Sequence, residues 1–124
     1  MQSGVPESTK PRVQLALGDR EFSQRLRGAL LHEPAFHGWR VDCCLECPDV
    51  TQPGVVVLDT VTLGRLGHGI PQPERVVLIT QRSPQELARA WDAGIVSVIY
   101  EDEPLSTAML AVMAARFRAV SRPH

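Results

Sequence analysis

At 124 residues the chain fits a single domain, long enough to bury roughly two-thirds of the surface its unfolded form would expose and so to fold without staples. Hydrophobic residues make up 44% of it and charged residues 22%, the balance of an ordinary globular protein rather than a disordered or membrane one. A net charge of −1 gives no basic footprint for nucleic acid, so DNA contact is expected only through a separate downstream domain.

No apolar run approaches the ~18 residues a membrane span takes, and the N-terminus lacks the charged-then-apolar pattern of a signal peptide. The expected location is the cytoplasm, with no membrane partner. Cysteine usage agrees: Cys43, Cys44 and Cys47 are clustered and odd in number, whereas a secreted scaffold spreads an even set along the chain. Cys44-x-x-Cys47 has the spacing of half a zinc site, with His37 and Cys43 as conceivable further ligands. No second pair stands elsewhere, so the three are read as small apolar fillers on or after a strand.

Residues 1–11 are polar, carry two prolines and show no period, which reads as a disordered lead-in. The domain is placed at 12–120, and 121–124 as a tail or the start of a linker at a domain boundary. Val13-Gln14-Leu15-Ala16-Leu17 forms a first strand that ends at Gly18-Asp19. From Glu21, Phe22, Leu26 and Leu30 recur at helical spacing, giving an amphipathic helix that stops before Pro34.

A weaker edge strand follows at Trp39–Leu45, and Pro48, Pro53 and Gly54 then break the chain. Val55-Val56-Val57-Leu58 is apolar throughout, as a central parallel strand buried on both faces should be. After Asp59 only a turn or two of helix fits before Gly67, Gly69 and Pro71. Val76-Val77-Leu78-Ile79-Thr80 is the second fully apolar strand. Ser83-Pro84 then supplies an N-cap and a proline at the first helical position for a helix ending at Ala93 and Gly94. Ile95–Tyr100 is the last strand. Pro104 opens a final helix with Leu105, Met109, Leu110, Met113 and Phe117 expected inward.

Two apolar strands that each end in a polar group, Asp59 and Thr80, deliver both groups to one edge of a parallel sheet, where ligands and chemistry gather. Each has a plain alternative. Asp59 and Asp19 also read as caps of the helices that follow them, and Thr80 as a passive strand end. Glu101-Asp102-Glu103 reads as a solvated acidic loop ahead of a helix, or as the rim of a cation pocket. Gly64-x-x-Gly67-x-Gly69 lacks the lysine and setting of a phosphate loop. His32, His37, His68 and His124 pair with no nucleophile in a recognisable motif. Nothing specific supports an enzyme.

Over roughly residues 12–118 the chain resembles the receiver domains of bacterial two-component response regulators, in particular the branch with a downstream helix-turn-helix domain. The resemblance rests on Val56-Val57-Leu58-Asp59, Val76-Val77-Leu78-Ile79-Thr80, and Ala93-Gly94 followed by Glu101 and Pro104-Leu105. It implies a flavodoxin-like α/β three-layer sandwich with a parallel five-stranded sheet in the order 2-1-3-4-5. It also implies Asp59 as phospho-acceptor, Thr80 as switch hydroxyl, and Mg²⁺ at Asp19 and Asp59 if the site is active.

The chain departs from that family where charge matters. The family's acidic pair after the first strand reads Gly18-Asp19 here, and its lysine falls on Glu101. An aspartyl phosphate must be offset by a metal ion, a cation and hydrogen bonds, and at about 4 Å with an effective dielectric near 20 each unit-charge pair is worth roughly 4 kcal/mol. Glu101 replaces that attraction with repulsion. The family's aromatic switch position falls on Val98, with Tyr100 two residues on. The helices after the second and third strands look reduced, so the sheet flank beside them is expected to expose apolar area that a partner covers.

The expected role is an atypical receiver acting in signal transduction or transcriptional regulation through protein contacts, with no resident cofactor. Its expected assembly is a homodimer through the last helix and its neighbouring strand, at Tyr100, Leu105 and Met109. Two alternatives stand beside it: a phosphorelay receiver phosphorylated at Asp59, with Glu21 and Arg82 making good the site, and a sensor whose crevice binds an uncharged or cationic small ligand.

Overall fold

In the computed structural model, residues 11–44, 48–67 and 70–121 are described. The lead-in up to residue 10, Cys47, His68, Gly69 and the tail 122–124 lie outside them. Five strands, β1 Arg12–Ala16, β2 Arg40–Cys43, β3 Gly54–Asp59, β4 Val76–Thr80 and β5 Ser97–Tyr100, pair in parallel in the order β2-β1-β3-β4-β5. This is the order expected from the sequence. The α-helices are α1 Arg20–Leu31, α2 Thr60–Leu66, α3 Pro84–Asp92 and α4 Leu105–Ser121.

Side-chain alternation splits the core into two layers. Val13, Leu15, Val41, Val55, Val57, Val77 and Ile79 face α1 and α4, where Leu26, Leu30, Val112 and Ala115 meet them. Ala16, Val56, Leu58, Val76 and Leu78 face the other way, against Leu63 of α2 and Ala90 of α3. Each fully buried Val or Leu contributes about 1.5–3 kcal/mol, so β3 and β4, buried on both sides, anchor the domain. Gly54 lets β3 begin in contact with β1. Its φ is +119°, and a Cβ there would lie 2.0 Å from the Arg12 carbonyl oxygen.

The helix ends follow from local chemistry. Asp19 caps α1, and Ser83 with Pro84 starts α3 as expected. After the C-cap Ala93, Gly94 turns the chain at φ +83°, where a Cβ would press on Pro73. In α4 the expected inward face is displaced: Ala108, Val112 and Ala115 are buried, whereas Leu110 and Phe117 are 67% and 66% exposed. Small residues at helical spacing let α4 lie close on the sheet, and the larger side chains fall outside that contact.

The flank expected to be bare is closed. α2 has seven residues, and no α-helix joins β2 to β3 among the described residues. The sheet there is not apolar, however. Gln14 is 2% exposed; its Nε2 donates to the Asp49 carbonyl oxygen at 2.8 Å and its Oε1 accepts the Asp49 N–H at 2.8 Å. The Arg75 guanidinium, 4% exposed, donates to the Gly54 carbonyl oxygen at 2.8 Å and to that of Val50. Arg12 and Arg40 flank Asp42 at 3.5 and 3.7 Å. Buried polar groups, hydrogen-bonded through Gln14 and the terminal nitrogens of Arg75 although the Arg75 Nε has no partner among the described residues, take the place of a helix, which corrects the expected apolar patch.

Candidate functional site

Asp59 closes β3 and opens α2. Its backbone is extended, and its Oδ1 accepts the Thr62 N–H at 2.9 Å as the N-cap of α2. Its Oδ2 accepts the N–H of Gly18, in the turn after β1, at 2.8 Å. Partial burial pushes the Asp59 carboxyl up, but the N–H groups of Thr62 and Gly18 outweigh it and hold the group below the usual carboxylate range. Thr62 Oγ1 in turn donates to the Ala16 carbonyl oxygen at 3.0 Å. Both acceptor oxygens of Asp59 are therefore engaged by main-chain donors that tie β1, β3 and α2 together.

A crevice of about 290 Å³ opens beside it, lined by Leu17, Asp19, Phe22, Asp59, Ile79 and Glu101. Three acids singled out in the sequence thus share one cavity over an apolar floor. Asp19 caps α1, its Oδ1 accepting the Phe22 N–H at 3.0 Å. Glu101 is exposed, and its N–H donates to the Thr80 carbonyl oxygen at 2.8 Å. Among the described residues no ion pair includes Asp59 or Glu101.

The candidate compensating groups lie elsewhere. Arg82 pairs with Asp102 at 3.1 Å and lies over the Tyr100 ring at 4.4 Å. Glu21 lines a neighbouring cavity with Cys43 and Cys44. Thr80 is 1% exposed and its hydroxyl has no hydrogen-bond partner among the described residues; it is buried and does not line the crevice. The sequence reading placed Asp59 and Thr80 at one sheet edge. The fold keeps them there, but only Asp59 faces the cavity.

Magnesium takes oxygen ligands in a near-octahedral set, with one or two carboxylates turned toward the ion. Here Gly18 stands in place of one acid, each Asp59 oxygen accepts a main-chain N–H and Asp19 Oδ1 accepts another, and no three His, Cys, Asp or Glu side chains come close enough to hold a metal ion among the described residues. That donor set does not fit the ion. Cys47, which completes the Cys44-x-x-Cys47 spacing, lies outside the described residues. Cys43 Sγ lies 3.5 Å from Ser23 Oγ at the surface, while Cys44 packs half-buried near Gln14, and burial pushes its thiol up. Cys44 is a filler as expected; Cys43 is exposed.

The residues proposed for an interface are less exposed than their neighbours. Leu105 and Met109 pack partly buried against the core, and Tyr100 lies under Arg82. Trp91, Val96, Leu110 and Phe117, on or beside α3, β5 and α4, are 64–68% exposed. The sequence reading gives no site role to Thr62, Gln14 or Arg75, and takes Gly18 only as a missing carboxylate. Asp59 followed three residues later by Thr62 carries a helix-start pattern that points to the cap; the other three carry no local signal.

No family model matches the chain, and no curated protein matches it. Solved structures are. FixJ-N is similar at 19% identity and a TM-score of 0.60, over 90% of this chain and 98% of that one. A putative pilus assembly-related protein of Burkholderia pseudomallei is similar at 17% identity and 0.58, over 98% and 100%. Full-length FixJ of B. japonicum is similar at 15% identity and 0.55, and this chain spans 60% of its length. At such identities the likeness is one of fold: the chain has the flavodoxin-like receiver architecture.

Proposed function

We propose that the chain is a degenerate receiver, a regulatory domain of signal transduction that works through protein contacts and takes no phosphoryl group efficiently at Asp59. The observation that carries this reading is the occupancy of Asp59: its two oxygens accept main-chain N–H bonds, Glu101 shares its crevice, and no cation pairs with it among the described residues. A carboxylate acting as an anionic clamp is a poor nucleophile, and a dianion beside Glu101 meets repulsion instead of the offsetting charge that phosphoryl transfer needs. The chain acts without turnover and without a resident metal ion.

The contact surface in this reading is the edge formed by α3, β5 and α4. Its exposed apolar side chains, Trp91, Val96, Leu110 and Phe117, suit a homodimer or a protein partner, since aromatic and aliphatic side chains are what a buried interface core collects. Regulation of transcription follows where a DNA-binding segment or protein is joined to that assembly.

The deciding experiment is incubation with acetyl phosphate and Mg²⁺ followed by intact mass measurement. The expected result is an unchanged mass. A stable gain of one phosphoryl group that disappears in Asp59→Asn overturns the proposal in favour of a working phosphorelay receiver.

A further inference from the structure

A second cavity, of about 430 Å³, opens between the first turns of α1 and the carboxyl ends of β1 and β2. Leu15 and Leu17 give it an apolar floor, and Cys43 and Cys44 both border it. β2 is an edge strand of the sheet, no α-helix stands between it and β3 among the described residues, and Cys43 at its end is exposed. Two thiols, a serine hydroxyl and a pair of opposite charges therefore meet in one place, away from Asp59.

Successive residues of a strand point to opposite faces, and the two thiols accordingly differ in their surroundings. Cys44 is half-buried with its Sγ 3.8 Å from Gln14 Oε1, and burial pushes its thiol up, the setting of an inert filler. Cys43 Sγ lies 3.5 Å from the hydroxyl of Ser23, a residue of α1 that is 4% exposed. Packing of α1 on the sheet fixes that hydroxyl against the sulfur, where it can donate to a thiolate. On the same wall stand Arg20 and Glu21, both exposed and neither in an ion pair among the described residues. A guanidinium takes a carboxylate and a carboxylate takes an ammonium group. Side by side, they suit the zwitterionic end of an amino acid or short peptide.

We propose that Cys43 is a site of reversible S-thiolation by low-molecular-weight disulfides of amino-acid thiols, whose zwitterionic end is held by Arg20 and Glu21. The Cys43 thiolate attacks one sulfur of the small disulfide. A bond forms between Cys43 Sγ and that sulfur, the small molecule's own S–S bond breaks, and its other half leaves as a thiolate that takes up the proton Cys43 gave up. Cys43 is oxidised and the departing half reduced, so the small disulfide is itself the oxidant, and excess small thiol reverses the step. The site works whether or not Asp59 takes a phosphoryl group, and it needs no second copy of the chain.

The test uses the full chain with Cys47→Ser, so that Cys43 and Cys44 are the thiols present. It is incubated with cystine, with glutathione disulfide or with the uncharged hydroxyethyl disulfide, and followed by intact mass and peptide mapping. One adduct is expected, removed by dithiothreitol, kept in Cys44→Ser and absent in Cys43→Ser. Arg20→Gln with Glu21→Gln should slow the faster of the two zwitterionic disulfides about fivefold and leave the rate with hydroxyethyl disulfide unchanged. Circular dichroism confirms the fold, and Arg20→Gln alone serves if the double variant unfolds. No adduct at Cys43, an adduct at Cys44 in its place, or a charge variant that reacts with the zwitterionic disulfides as fast as its parent overturns the proposal.

Discussion

The two edges of the sheet solve the same problem in opposite ways. At the β2 edge a connecting helix is absent among the described residues, and the face of β1 and β2 on that side is written in polar residues, Arg12, Gln14, Arg40 and Asp42, closed by hydrogen bonds and ion pairs. At the β5 edge the helices α3 and α4 are in place, and it is there that Trp91, Val96, Leu110 and Phe117 stand in solvent. A missing helix is thus not what marks a contact surface. Apolar area stands exposed on the outer faces of α3 and α4, while the edge without a connecting helix is polar and hydrogen-bonded.

Arg75→Ala gives the largest expected effect on that contrast. It strips the buried carbonyl groups of Gly54 and Val50 of their donor and leaves a hole beneath β3, a loss of about 3 kcal/mol. Urea unfolding measures it, and a loss under about 0.5 kcal/mol would show that polar closure of the β2 edge contributes nothing. Gln14→Leu is the sharper test. If the edge merely needed bulk, leucine would serve; because the Asp49 N–H and carbonyl lose their partners, about 2 kcal/mol should be lost.

Trp91→Gln and Leu110→Ser probe the other edge. Both side chains are mostly exposed, so folding stability should move by less than about 0.5 kcal/mol. Self-association or partner binding should weaken about tenfold, about 1.4 kcal/mol, for each. Analytical ultracentrifugation across protein concentration reads the second quantity and urea unfolding the first. Equal losses in both, or in stability alone, would make the two edges alike.

The contrast also shows where a sequence is legible. β3 and β4 are plain because a strand buried on both faces is apolar at every position, and Ser83-Pro84 announces α3 because capping acts within a few residues. α4 was misread at Leu110 and Phe117 because a helix of mostly apolar residues, with small side chains on its true contact face, has no clear polar side to exclude. The closure of the β2 edge was invisible. Gln14 meets Asp49 and Arg75 meets Gly54 across long separations in the chain, and one polar residue in a strand does not say what it bonds. At the crevice, the acids were legible as strand-end residues, but the Gly18 N–H that engages Asp59 is a main-chain group that any residue carries.

Asp59 lies between the two edges, and it links them, since its carboxylate holds the turn after β1 to the start of α2. Asp59→Ala should cost about 1 kcal/mol, the usual worth of a cap. The pH dependence separates a clamp from a bystander. The carboxyl titrates lower in the folded chain than in the unfolded one, so the unfolded state binds the proton first as pH falls. Its stabilising contribution is therefore complete above the unfolded pKa of about 3.9 and is lost as pH drops below that through the folded value. Asp59→Asn removes the titration while keeping one acceptor oxygen. The stability difference between the unaltered chain and Asp59→Asn, followed by urea unfolding from pH 7 down to about pH 3, should shrink across that acid window. Asp49, whose carboxyl is also held low by hydrogen bonds from Thr51, is common to both chains and drops out of the difference. A difference that stays constant with pH would mean that the Gly18 and Thr62 N–H groups do not favour the anion, and the carboxylate would then be free for other chemistry.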